Sequence, residues 1–267
     1  MICNDEIKRP LVRYHGGKYR IAPWIVSFFP PHRCYVEPFG GGGSVLLRKP
    51  RSYAEIYNDL DGEIVNLFRM ARDRGPELVR LVELTPFARE EFLEAWESTD
   101  DNLERARRTL VRASFGRGPL SGAKGKATFR VFTKSHNGNT ADEWRNYPEA
   151  LAAVVDRLRG VTIENRDAAR VMQQHDSEET LHYVDPPYVP ESRDAGKDYR
   201  HEMTLEQHRE LAAVLHGLRG GVILSGYDSE LYRELYAGWH RREKETLADG
   251  AAKRTEHLWM RNVNLLL

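Results

Sequence analysis

The chain has 267 residues, 40% of them hydrophobic and 30% charged, with 40 Lys and Arg against 40 Asp and Glu. That length supports one large α/β domain, or a domain with a sizeable insertion, and the zero net charge excludes any argument for a nucleic-acid partner from overall charge. Cys3 and Cys34 show no Cys-x-x-Cys spacing, Asp5 and Glu6 break the start of any signal peptide, and no apolar run reaches membrane-span length, so the expected setting is reduced and cytoplasmic, with no structural zinc.

Taken in chain order, the first feature is Tyr14-His15-Gly16-Gly17-Lys18, where two glycines let backbone approach a ligand closely. Cys34 to Phe39 read as a short buried strand, followed by the tight loop Gly40-Gly41-Gly42-Gly43-Ser44 and a helix from Val45 that Pro50 stops. Ala54 to Tyr57 read as a second strand ending at Asn58-Asp59. Asp61 to Arg72 read as a helix with Ile64, Leu67, Phe68 and Ala71 on one face and Gly75 beyond its end. A β-α-β-α start predicts a parallel sheet.

From about Pro76 to Ala153 the pattern gives helices and a long loop but no convincing buried strand. Thr85-Pro86 opens a predicted helix in which Phe92 and Trp96 lie four apart, and Leu103 to Ser114 reads as a basic helix. Between Arg105 and Ala141 there is no Asp or Glu, while nine positive charges occur there, among them Arg117, Lys124, Lys126 and Arg130. A neutral chain with such a segment predicts a basic face on a balanced body. Phe115 to Thr140 resembles an exposed binding loop.

The α/β rhythm then resumes with strands at Val161–Ile163 and Leu181–Val184. A helix follows from Thr204 to Leu218, with a Thr204/Gln207 capping box and a Leu211, Leu215, Leu218 stripe. Val222–Leu224 is a buried strand, and Arg241–Thr246 with His257–Met260 form the expected antiparallel pair. The strand at Leu181–Val184 ends in Asp185-Pro186-Pro187-Tyr188. Open α/β sheets hold ligands at that carboxyl edge. Both prolines fix φ and lack an N–H, so the turn is stiff and its carbonyls are free to accept. The Asp185 carboxylate and the Pro186 carbonyl could take the two hydrogens of a planar amine while its ring stacks on Tyr188. The exocyclic amine of a nucleobase has that shape.

The glycine loop invites a nucleotide reading, yet no Gly-Lys-Ser/Thr follows it, and Val45 occupies the last glycine place of the dinucleotide pattern. Glu37 precedes the glycines and would repel phosphate while favouring a cation. Asp59, at the end of the next strand, can bind both hydroxyls of a ribose. The expected ligand is therefore a cationic ribonucleoside without phosphate, cradled at Glu37, Gly40 and Gly42. S-adenosylmethionine fits that description. Lys18 could pair with the carboxylate of its methionine part, and Tyr14 could lie near its sulfonium as a cation–π partner.

Tyr-x-Gly-Gly-Lys (Tyr14 to Lys18), Glu-Pro-Phe-x-Gly-x-Gly-Ser (within Val36 to Val45), Asn58-Asp59 and Asp-Pro-Pro-Tyr (within Tyr183 to Tyr188) occur here in that order. In that order they resemble the Dam-type, D12 class, DNA adenine-N6 methyltransferases. Weaker similarity runs through Leu224 to Leu231 and Thr255 to Trp259. The resemblance implies a Rossmann-like S-adenosylmethionine-dependent methyltransferase sheet. It implies that residues 1–75 and 154–267 form the catalytic α/β domain and 76–153 a helical target-recognition insertion. It further implies that Tyr14, Lys18, Asp59 and Asp185 contact the cofactor and that Asp185, Pro186, Pro187 and Tyr188 form the catalytic turn. Tyr14 stands where the family often has Trp. Members that read GATC carry a Tyr-Gly-Tyr-Asn-Gly-type stretch where this chain has Ser114 to Pro119, so GATC is not carried over as the target.

The expected reaction is methyl transfer to N6 of an adenine flipped out of duplex DNA, with no metal. Arg117, Lys124, Lys126 and Arg130 are the candidate DNA-binding residues, and Val189 to Met203 is expected to close over the extruded base. Double-stranded DNA is the expected partner. A cognate restriction nuclease is a possible second one, and action as a monomer fits. An RNA adenine methylase, or a DNA-binding protein that keeps the fold without catalysis, are the alternatives. A dinucleotide oxidoreductase is disfavoured by the failed glycine pattern.

Overall fold

A computed structural model describes residues 7–14, 16–116, 128–131, 139–189, 202–247 and 253–263. After α1 (Ala22–Val26), strand β1 (Cys34–Glu37) leads into α2 (Ser44–Arg48), then β2 (Ala54–Asn58) and α3 (Gly62–Asp73). The 76–153 region holds α4 (Gly75–Leu84), α5 (Arg89–Glu94), α6 (Asn102–Phe115), α7 (Thr140–Arg145) and α8 (Tyr147–Leu158). The sheet resumes with β3 (Val161–Glu164), α9 (Ala168–Gln174), β4 (Thr180–Val184), α10 (Leu205–Gly217), β5 (Gly221–Gly226), α11 (Glu230–Leu235), β6 (His240–Leu247) and β7 (Lys253–Arg261).

Among the described residues these strands make one seven-stranded sheet in the order β3-β2-β1-β4-β5-β7-β6. The pairs from β3 to β5 are parallel, whereas β7 runs antiparallel to both β5 and β6. The predicted parallel start and antiparallel finish both hold, with β7 inserted inside β6.

Strand periodicity sorts the core into two faces. Tyr35, Tyr57, Tyr183, Ile223 and Leu258 point to one side, in a cluster shared with α1 to α4, α6 and α8. Their chain neighbours Val36, Ile56, Val184, Leu224 and Trp259 point to the other, where α9, α10 and α11 cover them. Phe92, Leu110, Trp144 and Leu151 belong to the same apolar cluster as Tyr35 and Tyr57. Helices α4 to α8 are thus fused to the sheet's core, and α8 runs across residue 153.

Local expectations were met at α10, whose capping box and buried stripe are as read, and at α3, capped by Asp61. Gly75 differs. It lies at the first position of α4, directly followed by Pro76, and a Cβ there would sit 2.2 Å from Val155. Its lack of a side chain serves the packing of α4 on α8. The helix expected at Thr85-Pro86 starts only at Arg89 and ends at Glu94; Trp96 lies beyond it, 6.1 Å from Phe92 edge to face.

The basic helix is corrected more deeply. Arg107 bonds Glu91 at 2.6 Å and Glu104 at 2.7 Å, Arg108 bonds Glu104 at 2.7 Å, and Arg112 bonds Glu63 at 2.9 Å, with Arg105 at 3.4 Å from Glu63. A window along the chain counted only cations. Folding brings acids from α3, α5 and the first turn of α6 against them, so these arginines lock helices together and present no bare basic face.

Behind the sheet's other edge lies a buried ionic cluster. Lys49, fully buried, donates to Glu55 at 2.5 Å and to Ser52 at 2.8 Å; Arg157 grips the same carboxylate at 2.7 and 2.9 Å and donates to the Leu46 carbonyl. It ties α8 to β2 and α2. Glu55→Ala leaves two cations buried without their acceptor, and should lower unfolding free energy by about 3–5 kcal/mol in urea titration.

Candidate active site

The strand order reverses between β1 and β4, which are hydrogen-bonded neighbours. Ligands of open α/β sheets bind at such a reversal, beyond the carboxyl ends of the strands. A cavity lies there. Its walls include Tyr14, Lys18, Glu37, Gly40, Gly42, Asp59 and Asp185, which is every residue expected to hold the cofactor.

Glycine geometry shapes the floor. Gly41 and Gly43 take φ of 47° and 61°, in the left-handed region that favours glycine. A Cβ on Gly41 would lie 2.9 Å from the Tyr14 ring, and one on Gly40 only 2.2 Å from the Tyr57 ring. Bare backbone therefore lies under Tyr14 and over Tyr57. The Tyr57 hydroxyl donates to the Gly41 carbonyl at 2.7 Å, and the Gly41 N–H donates to Asp59 at 2.7 Å. The other Asp59 oxygen accepts from the Asp61 N–H at 2.8 Å, so this carboxylate is fixed at the cavity wall.

Glu37 is 2% exposed and accepts from the Tyr35 hydroxyl at 2.6 Å and the Leu46 N–H at 2.9 Å. Burial pushes its pKa up to about 8, against the help of those bonds and with the Asp185 charge adding to the rise. In this form it is mostly protonated at neutral pH. The expected attraction for a cation is therefore latent: it develops as a cation arrives and the proton leaves.

Lys18 lines the cavity and has a partner within the protein. Its ammonium sits 3.0 and 2.9 Å from the two Asp185 oxygens and 2.8 Å from the Gly16 carbonyl, with its side chain 6% exposed. It pairs with the acid of the Asp185–Tyr188 turn, because a carboxylate at a buried strand end demands a counter-charge. Burial pushes the Asp185 pKa up to about 6; Lys18 pulls it down and Glu256 raises it.

Within the turn, Asp185 and Pro187 line the cavity, whereas Pro186 and Tyr188 are packed behind it. Tyr188 is 4% exposed. Its hydroxyl donates to Glu256 at 2.6 Å, Tyr227 meets it edge to face at 4.5 Å, and the Lys18 ammonium lies 4.7 Å from its ring centre. One face of the ring expected to stack on a base is thus covered by Lys18.

Of the candidate DNA-binding residues, Arg130 donates to Glu143 at 2.8 Å, a carboxylate that also takes Arg13 at 2.8 Å. Arg117, Lys124 and Lys126 lie outside the described residues, as do 190–201 of the expected closing segment. Its last residues, Glu202 and Met203, help wall the cavity, together with Leu60, Tyr183 and Gln207. Glu202 and Met203 belong to the segment expected to close over the base and Tyr183 to the last matched motif, whereas Leu60, Gln207 and Glu256 were not anticipated at the site. Glu256 could have been found, because it shares strand parity with the inward Leu258 and Met260. Leu60 and Gln207 carry no comparable signal.

The donor set suits S-adenosylmethionine: a fixed carboxylate at Asp59, a Cβ-free glycine floor under an aromatic ring, and a buried acid that ionises beside a cation. Among the described residues no group of three or more His, Cys, Asp or Glu is placed to hold a metal, and no helix is long and apolar enough to cross a membrane.

Comparison with known proteins agrees with this geometry. The chain is 28% identical over 253 residues to a DNA adenine methylase of Escherichia coli, covering 88% of this chain and 85% of that protein. It is 26% identical over 265 residues to the type II methyltransferase M1.LlaDCHI of Lactococcus lactis, covering 92% and 90%. It is 23% identical to a DNA adenine methylase of Haemophilus influenzae, covering 86% and 83%. The profile of the D12 class N6 adenine-specific DNA methyltransferases matches residues 14–249. With that match running from the Tyr14 motif past β6, the chain belongs to the D12 class of N6 adenine-specific DNA methyltransferases.

Proposed function

We propose that this chain methylates N6 of an adenine flipped out of duplex DNA, with Asp185 and the Pro186 carbonyl gripping the amine. The observation that carries the reading is that Asp185 and the cofactor-suited residues Glu37, Gly40, Gly42 and Asp59 wall one cavity. S-adenosylmethionine supplies the methyl group, activated as a sulfonium substituent. The protein's part is alignment and charge. Asp59 takes the ribose hydroxyls, Tyr14 lies against the glycine floor, and Glu37 ionises to meet the cation.

Asp185 and the Pro186 carbonyl accept the two N6 hydrogens, which draws the nitrogen lone pair out of conjugation and aims it at the methyl carbon. Each carboxylate oxygen has two lone pairs, and Lys18 takes one of each, so acceptor capacity remains for the amine. Lys18 thus keeps Asp185 ionised and oriented. As the nitrogen gains a methyl group it sheds a proton, and Asp185 stands at the atom it leaves. An acid with pKa raised to about 6 takes that proton better than an ordinary aspartate would. The base stacks on the Tyr188 face away from Lys18, which requires the ring, 4% exposed here, to open as the base enters. Residues 76–153 supply target recognition, with Arg117, Lys124, Lys126 and Arg130 toward the DNA and Arg130 exchanging Glu143 for it. The enzyme acts as a monomer, and the type II relative points to a restriction nuclease as a partner in the cell.

Two experiments bear on this. The purified chain, given labelled cofactor and duplex DNA, should yield N6-methyladenine on nucleoside digestion. Asp185→Ala should lower single-turnover transfer by about 10²–10⁴-fold, and a rate within tenfold of wild type overturns the assignment. Separately, calorimetry of cofactor binding at pH 7, in buffers of different ionisation enthalpy, should report proton release. Glu37, with its pKa near 8, releases its proton to the buffer as the cation arrives, whereas Asp185, near 6, is already mostly ionised. Affinity should therefore rise from pH 6 to 8, and Glu37→Gln should flatten that rise and abolish the release.

A further inference from the structure

Glu256 stands behind the catalytic turn on β7, with 3% of its surface exposed. Its Oε1 accepts from the Tyr188 hydroxyl at 2.6 Å and from the Ser225 hydroxyl at 2.5 Å, and lies 4.0 Å from the Lys18 ammonium. Lys18 is also the counter-ion of Asp185 and lies over the Tyr188 ring. Lys18, Tyr188 and Asp185 therefore share Glu256 as a common neighbour, although it does not line the cavity.

We propose that Glu256 is a positioning residue for methyl transfer, anchoring Tyr188 by its hydroxyl and holding Lys18 so that the ammonium is shared between two carboxylates. Three observations converge on this. The hydroxyl bond fixes the last residue of the Asp185–Tyr188 turn to a strand of the sheet, so the turn is pinned at both ends. The second carboxylate keeps Lys18 from neutralising Asp185 alone. A buried acid facing another acid costs free energy unless something is gained by it, and here β7 places Glu256 on the same inward parity as Leu258 and Met260, where an apolar side chain would pack.

The electrostatic part has a sign. A like charge near Asp185 makes its carboxylate hold a proton more readily. Asp185 also faces Glu37 from β1, Tyr183 on its own strand and Tyr232 from α11. Glu256 faces Tyr183, Ser225 and His257 besides Tyr188 and Lys18. Removing the Glu256 charge while keeping its acceptor should thus lower the pH at which Asp185 titrates.

The inference rests on the methyltransferase reading of Asp185, and the test separates the two. Glu256→Gln and Glu256→Ala are compared in the full chain. Glu256→Ala should lose about a hundredfold in single-turnover transfer by letting the turn drift, with cofactor affinity little changed. Glu256→Gln should recover most of that rate, since the amide oxygen still accepts, but with the acid limb of its pH–rate profile moved to lower pH. In the protein without DNA, ¹³C NMR of the Asp185 carboxyl, assigned by its loss in Asp185→Asn, should show a lower titration midpoint in Glu256→Gln. Unchanged midpoint and profile overturn the proposal. So does an equal rate loss in both variants that merely follows their melting temperatures. Should wild-type protein transfer no methyl group, the functional reading fails, while the NMR titration still decides the role of Glu256.

Discussion

The parallel pairing of β1 with β4 is the constraint on which the rest depends. Cys34, Tyr35 and Val36 pair with Thr180, Leu181 and His182, so the two strands finish side by side. One exits into the glycine loop, the other into the proline turn. Because the connections from these strands leave in opposite directions across the sheet, nothing fills the gap between them. The glycine loop and the Asp185 carboxylate are brought together by backbone pairing alone, before any side chain contributes.

What the pairing brings together, burial makes costly. Glu37 on β1, Asp185 at the end of β4 and Glu256 on β7 all fall on the inward parity of one sheet, with little exposure to water. The protein handles each differently. Glu37 holds a proton, Asp185 is paired with Lys18, and Glu256 is satisfied by two hydroxyl donors. Such a site is poised for a ligand that arrives positive and departs neutral, because the cation relieves repulsion that the fold has left in place.

Much of this was legible in the sequence because it is local. The strands, the glycine loop, the Asp59 position and the Asp-Pro-Pro-Tyr turn follow from short-range patterns, and the cavity collects the residues those patterns name. What was not legible depends on partners distant along the chain. Lys18 reads as a partner for a ligand carboxylate, and only the fold shows Asp185, far away in sequence, beside it. The arginines of α6 read as a basic patch until Glu63 and Glu91 meet them. Gly75 reads as a helix stop until Val155 is seen to occupy the space beside it. Charge and packing are properties of neighbourhoods, and a linear window sees only half of each.

Under the reading proposed above, in which residues 76–153 carry target recognition, the shared core of α4 to α8 with the sheet limits how specificity can evolve or be engineered. Leu110, Trp144 and Leu151 belong to one apolar cluster with Tyr35, Tyr57 and Phe68, so the segment 76–153 is no detachable cassette. Transplanting it whole from a relative would tear the hydrophobic floor on which α3 rests. New target preferences are reached more cheaply by rewriting side chains on the connections between these helices, with the framework left intact.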